Sequence, residues 1–237
     1  MVRLAVADAP GVVCLQEVPV WALEHLTAWT GMTAVTDVTR RGLPLGRFLS
    51  DLDPRRFRSG VTGQANALLL AHELEVVEHR RLVLNPFRFR RAQARSLQLP
   101  LTVRVTWAAE RRVCQVVRAR RGEETIVVTN MHLTGHRSEK GLPDAELLRA
   151  AVYADGFARP DEPILLCGDF NLGVRNSRTL GELMSAEWGF TGATPVGIDH
   201  ILVRGLRAGP PEAWRLERRT RDGRVLSDHA PVDVEVA

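Results

Sequence analysis

Five short stretches of this chain share one design. An apolar run ends on residues of chemical use: Gln16-Glu17, Asn130 with His132, Asp169 with Asn171, Asp199, and Asp228-His229. That recurrence limits the fold more than composition does. A single polar residue at a strand end is ordinary turn chemistry. Five of them would each need a separate reason to sit beside a core, because Asp, Glu and His are costly there. One site at one end of a sheet sandwich accounts for all five. Ile164–Asn171 shows the design best. Four apolar residues reach Gly168, which permits a tight turn or close backbone approach. Strand alternation then places Asp169 and Asn171 on one side and Phe170 on the other.

The shared site would hold three or four carboxylates, two amides and two histidines, with no cysteine ligand. Oxygen-rich ligation suits magnesium, manganese or calcium and argues against structural zinc. Histidines beside such a cation suit metal-assisted attack of water on a phosphate ester. A net charge of +4 and a pI of 9.6, mostly from arginine, favour a polyanionic partner. No apolar run approaches membrane-spanning length, and the N-terminus lacks a signal-peptide pattern. Cys14, Cys114 and Cys167 sit in apolar surroundings at irregular spacing. They read as buried free thiols, which suits a reducing cytoplasm.

In chain order, residues 3–9 read as the tail of a helix stopped by Pro10-Gly11, and Val12–Leu15 as a buried strand. Trp21–Thr30 reads as a helix, and 42–60 as a loop whose Arg55, Arg56 and Arg58 face either phosphate or solvent. Asn66–Leu70 and Glu75–Leu84 read as strands. Phe87–Arg95 interleaves arginine with phenylalanine, which fits an edge strand with one wet face or a nucleic-acid contact; the edge strand is the expectation. Leu97–Trp107, Arg112–Ala119 and Thr125–Thr129 are expected as strands, and 144–157 as a helix capped by Asp144. Ser177 is the expected cap of a further helix over 177–186. Gly197–Val203 and the alternating end of Leu226–Val236 close the chain as strands.

These segments resemble the endonuclease/exonuclease/phosphatase superfamily, of the deoxyribonuclease I-like and exonuclease III-like kind. The matching motifs are Cys-Leu-Gln-Glu-Val at 14–18, Asn-Met-His-Leu at 130–133, Gly-Asp-Phe-Asn at 168–171, Ile-Asp-His-Ile-Leu-Val at 198–203 and Ser-Asp-His-Ala-Pro-Val at 227–232. The resemblance implies an α+β fold, a four-layer α/β/β/α sandwich of two mixed β-sheets flanked by helices, in one domain over 1–237. It implies Glu17 and Asp228 as metal residues, with Mg2+ as the cation and Mn2+ as the alternative. Asp169 would orient or deprotonate the attacking water, and Asn171 would hold the phosphate or that water. His229 would sit at the scissile phosphate, with Asp199 fixing its tautomer, and His132 would bind phosphate or act as acid or base. The general-base role falls to Asp169 and His229 jointly. Asn130 and Asn66 are weaker candidates, either joining the site or hydrogen-bonding a loop, and His25, His72, His79, His136 and His200 are expected to pack or face solvent.

The superfamily begins with a strand carrying an asparagine before the segment matching Val12–Glu17. Here that strand is not in the sequence, so an N-terminally incomplete domain is expected, with reduced metal affinity. The implied activity is divalent-metal-dependent phosphodiester hydrolysis, with DNA or RNA as the expected substrate and a monomer as the expected state. Phospholipid or inositol-phosphate substrates, or a non-catalytic binding protein on this fold, are the alternatives.

Overall fold

The computed structural model describes residues 1–41, 63–136 and 138–237. Two sheets pack face to face. The first has the order β1-β3-β2, with β1 Val12–Pro19, β2 Thr33–Arg41 and β3 Gly63–Leu70. The second has the order β4-β5-β6-β7-β8, with β4 Glu75–Val83, β5 Val113–Arg121, β6 Glu124–His132, β7 Ile164–Asp169 and β8 Asp199–Arg204. The second sheet is mixed, through the parallel pair β6–β7. The three-stranded sheet is antiparallel throughout its described residues.

Alternation along the strands sorts side chains into layers. Leu68 and Leu70 meet Val117, Val128, Leu165 and Cys167 between the sheets. Ala67 and Leu69 turn the other way, onto Ala22, Leu26 and Met32 of the segment joining β1 to β2. Ile164 and Leu166 turn outward onto Leu147, Ala150 and Ala154 of the long helix Gly141–Phe157. β3 and β7 are covered on both faces, which is why their sequences read as unbroken apolar runs. The four-layer order follows directly.

Buried amides bolt the sheets together. The two N–H groups of the Asn130 amide are shared among Leu15 O, Ala67 O and Gln115 Oε1, at 3.0, 3.1 and 2.9 Å from the nitrogen, and its oxygen accepts from Gln16 Nε2 at 2.7 Å. The Asn66 amide crosses to Val113 O at 3.0 Å. Both residues therefore tie sheet to sheet; neither holds a loop. Asn130→Ala is expected to cost about 3 kcal/mol, because several buried partners lose their bonds at once. Urea unfolding measures this, and an unchanged midpoint would show the bolt to be dispensable.

Several expected elements differ. Phe87–Ser96 is a helix, not an edge strand, and the segment expected as a strand to Trp107 contains the helix Leu101–Ala109. Pro86 and Pro100 precede the two helices, and the four-residue spacing of Leu99, Val103 and Trp107 puts all three in one cluster with Phe89 and Ala94. Phe-Arg alternation over 87–90 imitates a strand, and Pro100 interrupts the period of the second helix. The long helix starts at Gly141, three residues before Asp144. Asp144 instead receives Ser177 Oγ and Thr179 N at the start of the next helix, Arg178–Leu183, where Ser177 caps Leu180 N as expected. Residues 3–9 hold only the end of a short helix, Val2–Ala5; Trp21–Thr30 splits into a 3-10 turn, Val20–His25, and a helix, Leu26–Thr30. The chain end forms one two-residue strand, Val232–Asp233, paired with Glu212–Ala213, and a bridge from Val236 to Ala208. The expected loop 42–60, with Arg55, Arg56 and Arg58, lies outside the described residues. Among those, the cysteines are free, as expected.

Candidate functional site

The expected site residues converge at one end of the sheets, and the register explains why. In the parallel pair β6–β7, His132 lies opposite Asp169, and in β7–β8 Asp169 lies opposite Asp199. Three neighbouring strands thus end on His132, Asp169 and Asp199 in one row. Gly168 makes the row possible. Its φ is +142°, and a side-chain carbon there would lie 1.9 Å from Met131 O, so only glycine lets β7 close on β6 at this point.

His229 arrives from the irregular segment before Val232–Asp233. Its Nδ1 meets Asp199 Oδ2 at 2.9 Å and lies 3.9 Å from Asp169 Oδ2. Asp169, Asp199 and His229 offer ligand atoms all within 4.8 Å of one another. His132 Nε2 lies 3.4 Å from Asp169 Oδ2, and its Nδ1 lies 4.0 Å from Glu17 Oε1. Glu17 sits in the β-bulge between Leu15 and Val18 with φ of +54°, and its carboxylate accepts from Gln64 Nε2 at 3.0 Å. A bulge re-aims a side chain at a strand end.

The two histidines are electrostatic opposites. The hydrogen bond to Asp199 pushes His229 up to about 9, so this imidazole is a cation at neutral pH. Burial pulls His132 down to about 3, helped by the charges of Arg112 and His229, so His132 is neutral. Burial, then repulsion from Asp199, raises Asp169 to about 6, against the Asn171 backbone N–H and His229, which favour its ionised form. A carboxylate near 6 beside a cationic imidazole is a pair whose environments separate an acid from a base.

Asn171 departs from strand alternation, and Asp228 lies beside His229. Strand β7 ends at Asp169, and Asn171 adopts φ of +52°. Its backbone N–H, not its side chain, serves Asp169 Oδ1 at 2.9 Å, while its amide donates to Leu133 O at 2.9 Å. Simple strand alternation therefore does not describe this pair. Asp228 is exposed beside His229 and takes part in no hydrogen bond or ion pair among the described residues. Neither Glu17 nor Asp228 falls in the three-residue group.

Glu17, Asp169, Asp199 and Asp228 offer hard oxygen donors at this end, and the Glu17 side chain is 52% exposed. Such a set fits an oxygen-loving divalent cation. His200 does not join them: it is buried, its Nε2 meets Leu172 O, and its Nδ1 accepts from Thr194 N. His79 pairs with Asp37 at 2.8 Å, away from this cluster.

Three contributors carried no signal in the sequence. Arg112 immediately precedes β5, and its charge acts on both His132 and Asp169. Lys140 Nζ donates to Asn171 O at 3.1 Å. Arg219 Nη1 donates to Ser227 O and His229 O at 2.6 and 2.8 Å, fixing the segment that presents His229. Only long-range register and loop contacts bring these residues in.

No curated protein sequence matches the chain significantly. Among solved structures, an endonuclease/exonuclease/phosphatase protein from Bacteroides vulgatus is 16% identical with a TM-score of 0.69, covering 100% of this chain and 89% of that one. A conserved protein of unknown function from Enterococcus faecalis V583 is 17% identical, TM-score 0.68, covering 100% and 90%. The human Nocturnin catalytic domain with bound sulfate anion is 14% identical, TM-score 0.67, covering 98% and 83%. These likenesses establish the fold. The sequence model of the Endonuclease/Exonuclease/phosphatase family matches residues 2–229, nearly the whole chain, and reaches from before Glu17 to His229. With Glu17, His132, Asp169, Asp199 and His229 gathered at one end of a four-layer sandwich, the chain belongs to the endonuclease/exonuclease/phosphatase family.

Proposed function

We propose that the protein is a divalent-metal-dependent phosphodiester hydrolase acting on nucleic acid, as a single domain over 1–237 and a monomer. The observation that carries this reading is the gathering of Asp169, Asp199 and His229 within 4.8 Å, with neutral His132 alongside. The basic surface, with its pI of 9.6, supports a polyanionic substrate. Free thiols fit a reducing compartment such as the cytoplasm.

The proton chemistry follows from the two shifted groups. His229 is already protonated at neutral pH, so it cannot take a proton from water. Ionised Asp169 can, and its value of about 6 suits a base working near neutrality. Asp169 therefore orients the nucleophilic water and removes its proton. His229, held by Asp199, donates to a phosphoryl oxygen and stabilises charge as it develops. Neutral His132 adds an N–H donor without competing for the proton. Asn171 holds Asp169 through its backbone. Glu17 and Asp228 are the residues that would hold Mg2+, or Mn2+, which supplies positive charge for the phosphoryl and leaving oxygens.

The deciding assay treats the purified protein with chelator, restores Mg2+ or Mn2+, and offers plasmid, abasic-site DNA, RNA and sphingomyelin. Cleavage of a nucleic acid that depends on added metal is the expected result. Turnover of sphingomyelin alone would replace the nucleic-acid reading with a phospholipid one, and no turnover at all would leave a binding protein on this fold. Glu17→Ala is expected to raise the Mg2+ concentration for half-maximal activity about tenfold or more. An unchanged metal titration would remove Glu17 from the metal site.

A further inference from the structure

The helices Phe87–Ser96 and Leu101–Ala109 present a surface that the reaction does not use. Their buried side is accounted for by Phe89, Ala94, Leu99, Val103 and Trp107, which pack with Leu142. The outer side is unusual. A surface helix ordinarily turns charged and polar residues to water. Here Leu101 is 70% exposed and Val105, one turn on, 60% exposed, with Phe87 at 69% and Leu97 at 37%.

The charges beside these apolar side chains are of one sign. Residues 86–109 contain five arginines and no acidic residue. Arg88, Arg91, Arg95 and Arg104 are all exposed, and none makes a hydrogen bond or ion pair among the described residues. The helices are also firmly mounted. Trp107 Nε1 donates to buried Glu146 at 2.8 Å, and Glu146 receives Thr134 N and Oγ1, two residues beyond His132. The buried side of the helix pair is thereby tied to the loop that leaves the site.

We propose that this helical pair docks the protein on an anionic lipid bilayer, with Leu101 and Val105 entering the headgroup boundary and the four arginines meeting lipid phosphates and carboxylates. Unpaired arginines alone would suit nucleic acid, but a phosphate backbone leaves exposed leucine and valine without a partner. A second copy of the chain would set four arginines against four. An anionic bilayer satisfies both halves of the pattern, as amphipathic interfacial helices do. No described helix is long and apolar enough to cross a membrane, so the attachment is to the surface. This inference does not rest on the proposed activity.

Co-sedimentation of the whole protein with phosphatidylcholine vesicles, with and without 30% phosphatidylserine, is the test. Binding to the anionic vesicles and not to the neutral ones is expected. Arg91→Ser/Arg95→Ser should weaken it about 30-fold, and Leu101→Ser/Val105→Ser should weaken it at low and high salt alike. Leu101→Lys/Val105→Lys separates insertion from charge: weaker binding supports the proposal, tighter binding overturns it. Far-UV circular dichroism checks that each variant is folded. Absence of sedimentation overturns the proposal. So does a Leu101→Ser/Val105→Ser protein that keeps vesicle binding but loses oligonucleotide binding or self-association, which would assign the surface to those partners.

Discussion

Asp169→Asn is expected to lower phosphodiester turnover by about 10²–10⁴-fold while making the metal-free protein more stable. Both effects come from one buried carboxylate whose side chain is 9% exposed. Asparagine keeps the oxygen that accepts the Asn171 backbone N–H, so the local turn survives. It cannot take a proton from water. The stability effect follows from the raised value of about 6, against the usual 3.8. The folded state holds this proton more tightly than the unfolded chain does. The associated stability is fully present below the unfolded value and is lost as pH rises through about 6. Above that, the parent carries a penalty of about 3 kcal/mol that asparagine lacks. Urea unfolding in chelator should show the variant more stable than the parent at pH 8 and nearly equal to it at pH 4. Equal midpoints at both pH values, or unchanged turnover, would rule out Asp169 as the buried base.

That coupling of burial to function explains what the sequence could and could not reveal. The motif strands were legible because burial on both faces writes a continuous apolar run, and each run delivers its polar residue at the same end. Ile164–Cys167 before Asp169 is the clearest case. The two surface helices were not legible as helices, because Phe-Arg alternation imitates a strand and the four-residue period of Leu99, Val103 and Trp107 straddles Pro100. The pairing of His229 with Asp199 followed from the family resemblance, but the opposite charge states of His132 and His229 did not. They depend on burial and on Arg112 and Asp199, which only the folded chain brings near. The exposed position of Asp228 and the turned amide of Asn171 are likewise properties of irregular backbone, where periodicity carries no information.

Asp199→Asn should move both limbs of the activity profile to lower pH, the alkaline one furthest, because the Asp199 charge also helps to raise Asp169. In the parent, activity should rise as Asp169 ionises through about 6 and fall as His229 loses its proton through about 9. The first cause of the high His229 value is its hydrogen bond to Asp199, at 2.9 Å. Asparagine keeps the geometry but removes the charge, so His229 falls toward the ordinary imidazole value of 6.5. At pH 8 it is then neutral, and turnover should drop about 10²-fold or more; at pH 6 it is still largely protonated, and the loss should be much smaller. Stability moves in the direction set by a raised histidine: the contribution of the pair is fully present below the unfolded value and fades as pH rises through about 9. With the His229 side chain 39% exposed, solvent screening keeps that contribution small, so activity is the sensitive readout. The imidazole resonances give an independent measure, since His132, near 3, is silent across the working range while His229 titrates within it. A uniform loss at every pH, with the His229 titration unmoved, would mean that Asp199 serves only to hold the end of β8, and the charge on His229 would need another source.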